Sequence, residues 1–169
     1  LVEGFPGFGL VGTIATEFLI KHLDAEPIGH IRMEEVPPVI AIHRGESVEP
    51  LGIFYAKKKN VIILHALNNV QGYEWALAKI IMKLADDINV KEIISLEGVG
   101  NPEAAADPRA FYVSSNKKFK LMKTPERLNE GIIMGVTGAL LVKHDARVSA
   151  IFSETHSGLP DSRAAARIV

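Results

Sequence analysis

Apolar positions along the chain switch repeatedly between a helical and a strand period. From Leu10 to His22 they recur at Leu10, Ile14 and Phe18 and again at Val11 and Ala15, the spacing of a helix. Val2 and Glu3 read as the end of a strand before it, and residues 27–33 read as the next strand. Residues 38–44 read as another, and 49–67 as two strands turning at Lys57 to Asn60. A helix is predicted over 72–88, then strands over 91–98 and 110–115. Asn101-Pro102 and Asp107-Pro108 mark turns, and Thr124-Pro125-Glu126 predicts the start of a helical stretch. A helix near 130–144, a strand at 146–154 and a last helix capped by Asp161 complete the pattern.

Helices that lead back to strands imply crossovers, and crossovers imply parallel pairing with helices on both faces. The hairpins after the second strand interrupt that rhythm, so the expected sheet is mixed. The prediction is one α/β domain over residues 1–169, a three-layer α/β/α sandwich with a mostly parallel mixed sheet. Because the chain opens on Leu1 and the last helix is expected to be still running at Val169, both ends read as cut.

Two helices carry more apolar surface than one buried face requires. Over 72–88, Tyr73, Leu77, Ile80, Leu84 and Ile88 form one stripe, and Trp75, Ala78, Met82 and Ala85 form a second. The 131–144 segment repeats this with Ile132, Val136, Leu140 and Ile133, Thr137, Leu141. Either both stripes are buried within the domain, or a second subunit covers one of them. Trp75 and Met82 are the interface candidates under the latter reading.

Composition narrows the functional classes. The formal net charge of −1 gives no bulk attraction to nucleic acid. Lys57-Lys58-Lys59 and Lys117-Lys118 read as solvated loop tips. Cysteine is absent, which excludes disulfides, thiolate catalysis and cysteine-ligated zinc. The uncharged run at 131–142 falls short of the roughly 20 residues of a membrane span. A soluble, cytoplasmic protein is expected.

The opening stretch VEGFPGFGLVG contains Gly7-x-Gly9-x-x-Gly12, the spacing of a dinucleotide fingerprint. A strand precedes it, a helix follows, and Glu34 or Glu35 stands about where a ribose-binding acid belongs. Against a cofactor, the second strand passes into EEVPPVIAI and hairpins, and Pro6 removes one backbone donor. Glycines used for a tight turn and close helix–strand packing are the competing explanation. No cofactor and no metal is predicted, since no two histidines have ligand spacing. His43 and His65 read as sheet residues, and Glu154, His156, Ser157 and Asp161 as a turn with a helix cap rather than a triad.

In an open parallel sheet ligands sit at the carboxyl ends of strands. The residues expected there are the glycine loop, Glu34, Asn68-Asn69, Glu97-Gly98, and Glu154 with His156. A phosphate- or nucleoside-like ligand held by Gly7, Gly9, Gly12, Glu97 and Glu154 is the alternative to a purely protein-binding role.

The phrases EGFPGFGLVGTIATEFLI, SLEGVGNPEAAADPRAFYVSSN and SETHSGLPDSRAAA resemble the proteasome assembly chaperone family in its archaeal or bacterial single-domain form. The likeness runs from near Leu1 to about Ala166. It implies a phosphorylase-like three-layer fold, a non-enzymatic role, self-association into small oligomers, and proteasome α-subunits as partners bound without ATP. It also implies that the glycine loop is a structural signature. The family's docking tail, a hydrophobic residue followed by tyrosine and any residue, is not matched by Arg167-Ile168-Val169.

Overall fold

The computed structural model describes all of the 169 residues except 44, 105, 106, 118, 120–124, 144 and 157. In chain order its elements are β1 (Val2–Gly4), α1 (Val11–His22), β2 (Glu26–His30), β3 (Ala41–His43), β4 (Glu46–Val48), β5 (Leu51–Ala56), β6 (Val61–Ala66), α2 (Glu74–Asp87), β7 (Ile93–Gly100), β8 (Ala110–Ser114), β9 (Glu126–Arg127), α3 (Gly135–Val142), β10 (Val148–Thr155) and α4 (Ser162–Arg167). Eight strands form one sheet in the order β2-β5-β6-β1-β7-β10-β8-β9, and β3 pairs with β4 in a separate hairpin. The central strands β6, β1, β7 and β10 run parallel. Antiparallel β5 and β8 flank them.

Alternation along the strands feeds two cores. On one face, Leu77, Ala78, Ile81 and Ala85 of α2 and Val136, Ala139 and Leu140 of α3 cover Leu51, Leu64, Ile93 and Val148. On the other, Val11 and Ala15 of α1 and Ala164, Ala165 and Ile168 of α4 cover Leu96 and Ile151. This is the three-layer α/β/α sandwich with a mostly parallel mixed sheet. β10, buried along its whole length, explains the run VSAIFSET, since a strand covered on both faces needs no polar alternation.

Packing of α2 against α3 accounts for part of the surplus apolar surface on both helices. Met82 is half-buried against the first core, whereas Trp75 remains 55% exposed.

Three local expectations are corrected. Glu126 and Arg127 are not helical; they add a strand parallel to Phe111 and Tyr112, because the open edge of β8 offers backbone partners that a local start signal does not. Thr124, part of that signal, lies outside the described residues, as do Lys118 and Ser157. The helix expected near 130–144 begins only at Gly135, whose φ of +69° follows an extended Met134. The last helix ends at Arg167, with Ile168 as its C-cap, rather than running on. Its predicted cap is present: Asp161 accepts hydrogen bonds from the Arg163 and Ala164 amides at 3.1 and 3.0 Å.

Candidate functional site: the carboxyl end of the sheet

The glycine loop leaves β1 and enters α1 through a single 3-10 turn at Phe8–Leu10. Its three fingerprint glycines do different things. Gly9 adopts φ +62°, and a Cβ there would stand 2.7 Å from Thr155 Oγ1. Gly12 lets the first turn of α1 press on the sheet, because a Cβ would overlap the Leu96 carbonyl and lie 3.0 Å from that of Phe5. Gly7 is extended (φ −147°) and exposed, so neither backbone nor space demands glycine. What Gly7 covers is the Glu97 carboxyl, whose Oε1 would be 3.4 Å from its Cβ.

Under this loop lie two acids, Glu3 fully buried and Glu97 half-buried. Glu3 of β1 is 1% exposed and stands opposite Ser95 of β7, which donates a hydrogen bond to its Oε1. Burial drives the Glu3 pKa up to about 8; the Ser95 bond opposes the rise and the charge of Glu97 adds to it. Glu97 lies two residues further along β7, with Gly7 and Gly135 beside it. Burial raises its pKa to about 7 against a hydrogen bond from Thr137 of α3. Its Oε2 is buried without a hydrogen-bond partner. Burial thus favours the neutral, protonated form of both carboxyls. The floor of the glycine loop is therefore a pair of proton-retaining acids, with no cationic side chain among them.

Glu154 does not join this pair. It stands opposite Val99, while Glu97 stands opposite Phe152. Arg109 grips its carboxylate through Nε at 3.1 and 3.2 Å and Nη2 at 2.7 Å, and Asn101 Nδ2 adds a bond at 3.0 Å. Those bonds, led by Arg109, hold the Glu154 pKa below the usual carboxylate range. The guanidinium also lies 5.3 Å over the Phe111 ring. Glu154 and Glu3 thus flank Glu97 on one face of the sheet, each paired with a residue two positions from it, but Arg109 and Asn101 engage Glu154 whereas the charge of Glu97 acts on Glu3. Glu3 was legible in principle: a central parallel strand ordinarily reads as an apolar run, so a glutamate in VEG is anomalous.

The remaining strand-end residues serve the scaffold. His156 is exposed and reaches Asp161 only at 3.7 Å. His65 is buried against Thr16 Oγ1 at 2.9 Å, and burial lowers its pKa. Asn68, 2% exposed, donates from Nδ2 to the Pro37 carbonyl at 2.8 Å and pins the 31–40 segment over the sheet edge. A cleft of about 530 Å³ runs along that segment between Met33, Pro37, Ile40 and Leu51, with the exposed Glu34 on its wall. Among the described residues no group of three acidic or histidine side chains can hold a metal ion, and no helix is long and apolar enough to cross a membrane.

The carboxyl end also concentrates exposed apolar side chains. Among the described residues, fourteen large hydrophobic side chains are substantially exposed. Eight lie on segments at this end: Phe8 in the glycine loop, Val39, Ile40 and Ile42 between β2 and β5, Trp75 at the start of α2, Ile132 and Met134 leading into α3, and Leu159 before α4. The rest are scattered, as single exposed hydrophobics usually are.

Comparisons with known proteins agree with this architecture. The chain is 29% identical over 174 residues to the uncharacterised protein MJ0106 of Methanocaldococcus jannaschii, covering all of this chain and 71% of that one. A second uncharacterised protein of the same organism, MJ1210, is 25% identical and is spanned over 60% of its length. Among solved structures, Pyrococcus furiosus PbaA, described as an archaeal homolog of proteasome-assembly chaperone, superposes with a TM-score of 0.85 at 29% identity, over 99% of this chain and 76% of that one. PbaB of the same organism, an archaeal proteasome activator, shares the fold with a TM-score of 0.78 at 21% identity, over 99% of this chain and 79% of its own. The fold thus recurs in these proteins. The PAC2 family model matches residues 1–169, the whole chain, and the chain belongs to the PAC2 family.

Proposed function

We propose that the protein is a non-enzymatic, self-associating chaperone-like factor that works through protein surfaces, with proteasome α-subunits as its partners. The observation that carries this reading is the likeness to PbaA, 29% identical and superposed over 99% of this chain. The geometry is in keeping with it. The glycine fingerprint serves turn and packing, its floor is acidic, and large apolar side chains crowd one end of the molecule. Trp75, 55% exposed on α2, is the stronger of the two interface candidates, because Met82 is partly occupied by the protein's own core. A phosphate- or nucleoside-like ligand at Gly7, Gly9, Gly12, Glu97 and Glu154 has less support, since Gly9 and Gly12 serve a turn and a close approach and Arg109 engages Glu154.

Light scattering on the full-length protein, alone and mixed with proteasome α-subunits, tests the reading. A defined homo-oligomer that gains mass with α-subunits is expected. Absence of any mass gain would remove the proteasome from the proposal. Thermal stabilisation by phosphate or a nucleoside would revive the ligand reading, since a ligand that binds only the folded state raises its stability.

A further inference from the structure

Residues 31–50 leave the main sheet and return to it through the β3–β4 hairpin. Among the described residues these two strands pair only with each other, and none of theirs enters either hydrophobic core. A two-stranded hairpin is marginally stable on its own in water, and its outer edges leave backbone amides and carbonyls free to take another strand. Val39, Ile40 and Ile42, on the way into and along β3, are 47%, 60% and 67% exposed. Both legs of the hairpin line the cleft of about 530 Å³, Val39 and Ile40 before β3 and Glu49 and Pro50 after β4. That volume lies within the range of clefts that hold ligands.

The polar groups of this surface are mostly acceptors. Pro37, Pro38 and Pro50 bring no amide donor to the wall. Glu34 and Glu49 line it against one arginine, Arg32. Over 31–50 the sequence holds four glutamates, Glu34, Glu35, Glu46 and Glu49, all exposed, against Arg32 and Arg44, the latter outside the described residues. His30 reaches Glu49 only at 3.9 Å. Asn68, 2% exposed, also lines the cleft: its Nδ2 is committed to the Pro37 carbonyl at 2.8 Å, and its Oδ1 is buried without a hydrogen-bond partner. What this surface lacks is an N–H donor and a cation.

We infer that the cleft and the hairpin form a docking site for an extended, basic segment of a partner protein, its apolar side chains entering the cleft and its lysines or arginines reaching the glutamates. Long cationic side chains suit both parts of the surface: the stem lies along Val39 and Ile40 while the charged head stays in water beside Glu34 or Glu49. A strand laid along the hairpin extends its ladder, so main-chain hydrogen bonds give affinity and alternate side chains select the partner. An acidic segment would set like charges together, which costs affinity. The inference rests on the protein-surface role proposed above and names the place and the chemistry of the segment bound there.

Titration of the protein with a blocked, alternating Val-Lys hexapeptide tests it, read by backbone amide resonances, with the Val-Glu hexapeptide as control. The Val-Lys peptide is expected to shift the amides of β3 and β4 and to slow their hydrogen exchange, less strongly as salt rises. The control is expected to leave them unmoved. Glu34→Gln with Glu49→Gln should raise the Kd about fivefold, through the loss of exposed ion pairs. Val39→Ser with Ile40→Ser should abolish the shifts; all four side chains are exposed, so the fold survives. No shift with the Val-Lys peptide, equal shifts with both peptides, or shifts that persist in Val39→Ser with Ile40→Ser would each overturn the site. Light scattering with proteasome α-subunits separates this from the broader reading. If the α-subunits add mass equally to the wild type and to the Val39→Ser, Ile40→Ser variant, the docking site is wrong while the chaperone-like role stands. Peptide binding without any gain of mass from α-subunits leaves the site standing and removes the proteasome from the role.

Discussion

Replacing Glu3 by glutamine should change how stability depends on pH. Glu3 is 1% exposed, and its pKa moves from 4.5 to about 8 on folding. The native protein therefore keeps a proton that the unfolded chain has already released. Stability from the neutral buried carboxyl is fully present below pH 4.5 and is lost as pH rises toward 8. Between pH 5 and pH 9 the loss from Glu3 amounts to about 4 kcal/mol, from 1.36 kcal/mol per pKa unit. Glutamine has nearly the same shape, still accepts the Ser95 hydrogen bond, and carries no charge at any of these pH values. Urea denaturation at pH 5, 7 and 9 is the assay. Wild type and Glu3→Gln should differ by less than about 1 kcal/mol at pH 5 and by about 4 kcal/mol at pH 9, with the variant more stable. A constant offset between the two curves across this range would refute the assignment of a raised pKa to Glu3.

Other perturbations probe the same framework. Gly12→Ala should destabilise by about 3 kcal/mol or more in urea, because its Cβ would meet the Leu96 and Phe5 carbonyls, whereas Gly7→Ala should stay within about 1 kcal/mol of wild type. Asp161→Ala should cost about 1 kcal/mol through loss of the α4 cap, and Asp161→Asn should recover most of it. In Arg109→Ala the Glu154 carboxylate loses its main partner, so its pKa should rise toward or above the ordinary value. In the wild type, the stability from that pair is present above the ordinary value of 4.5 and is lost as pH falls through the lowered pKa. Carboxyl titration followed by NMR would show both, and an unmoved Glu154 resonance in Arg109→Ala would contradict the role given to the pair.

Much of the architecture was legible along the chain because periodicity reports burial directly. The helix of α1 and the long helix α2, the hairpin turning at Lys57, the buried strand β10 and the Asp161 cap all follow from local patterns that their surroundings reinforce. The segment at Glu126 was misread because its strand exists only through the backbone groups that β8 presents, which no local signal reports. The candidate site divides in the same way. That Gly9 and Gly12 serve a turn and a close approach is a reading that sequence spacing allowed but did not choose. The choice was made by Thr155 and by the Leu96 carbonyl, contacts separated from the loop by more than eighty residues.

From the sequence alone came the alternation of strand and helix, the glycine fingerprint, the absence of cysteine and the near-zero net charge. Register came only with tertiary structure. It set Glu3 opposite Ser95, beside Glu97, and brought Arg109 to the Glu154 carboxylate. Strand direction then gathered the loops with exposed apolar side chains at the carboxyl end of the sheet. The physical reason is that burial and charge depend on distances between residues remote in sequence, which hydrophobic periodicity does not carry.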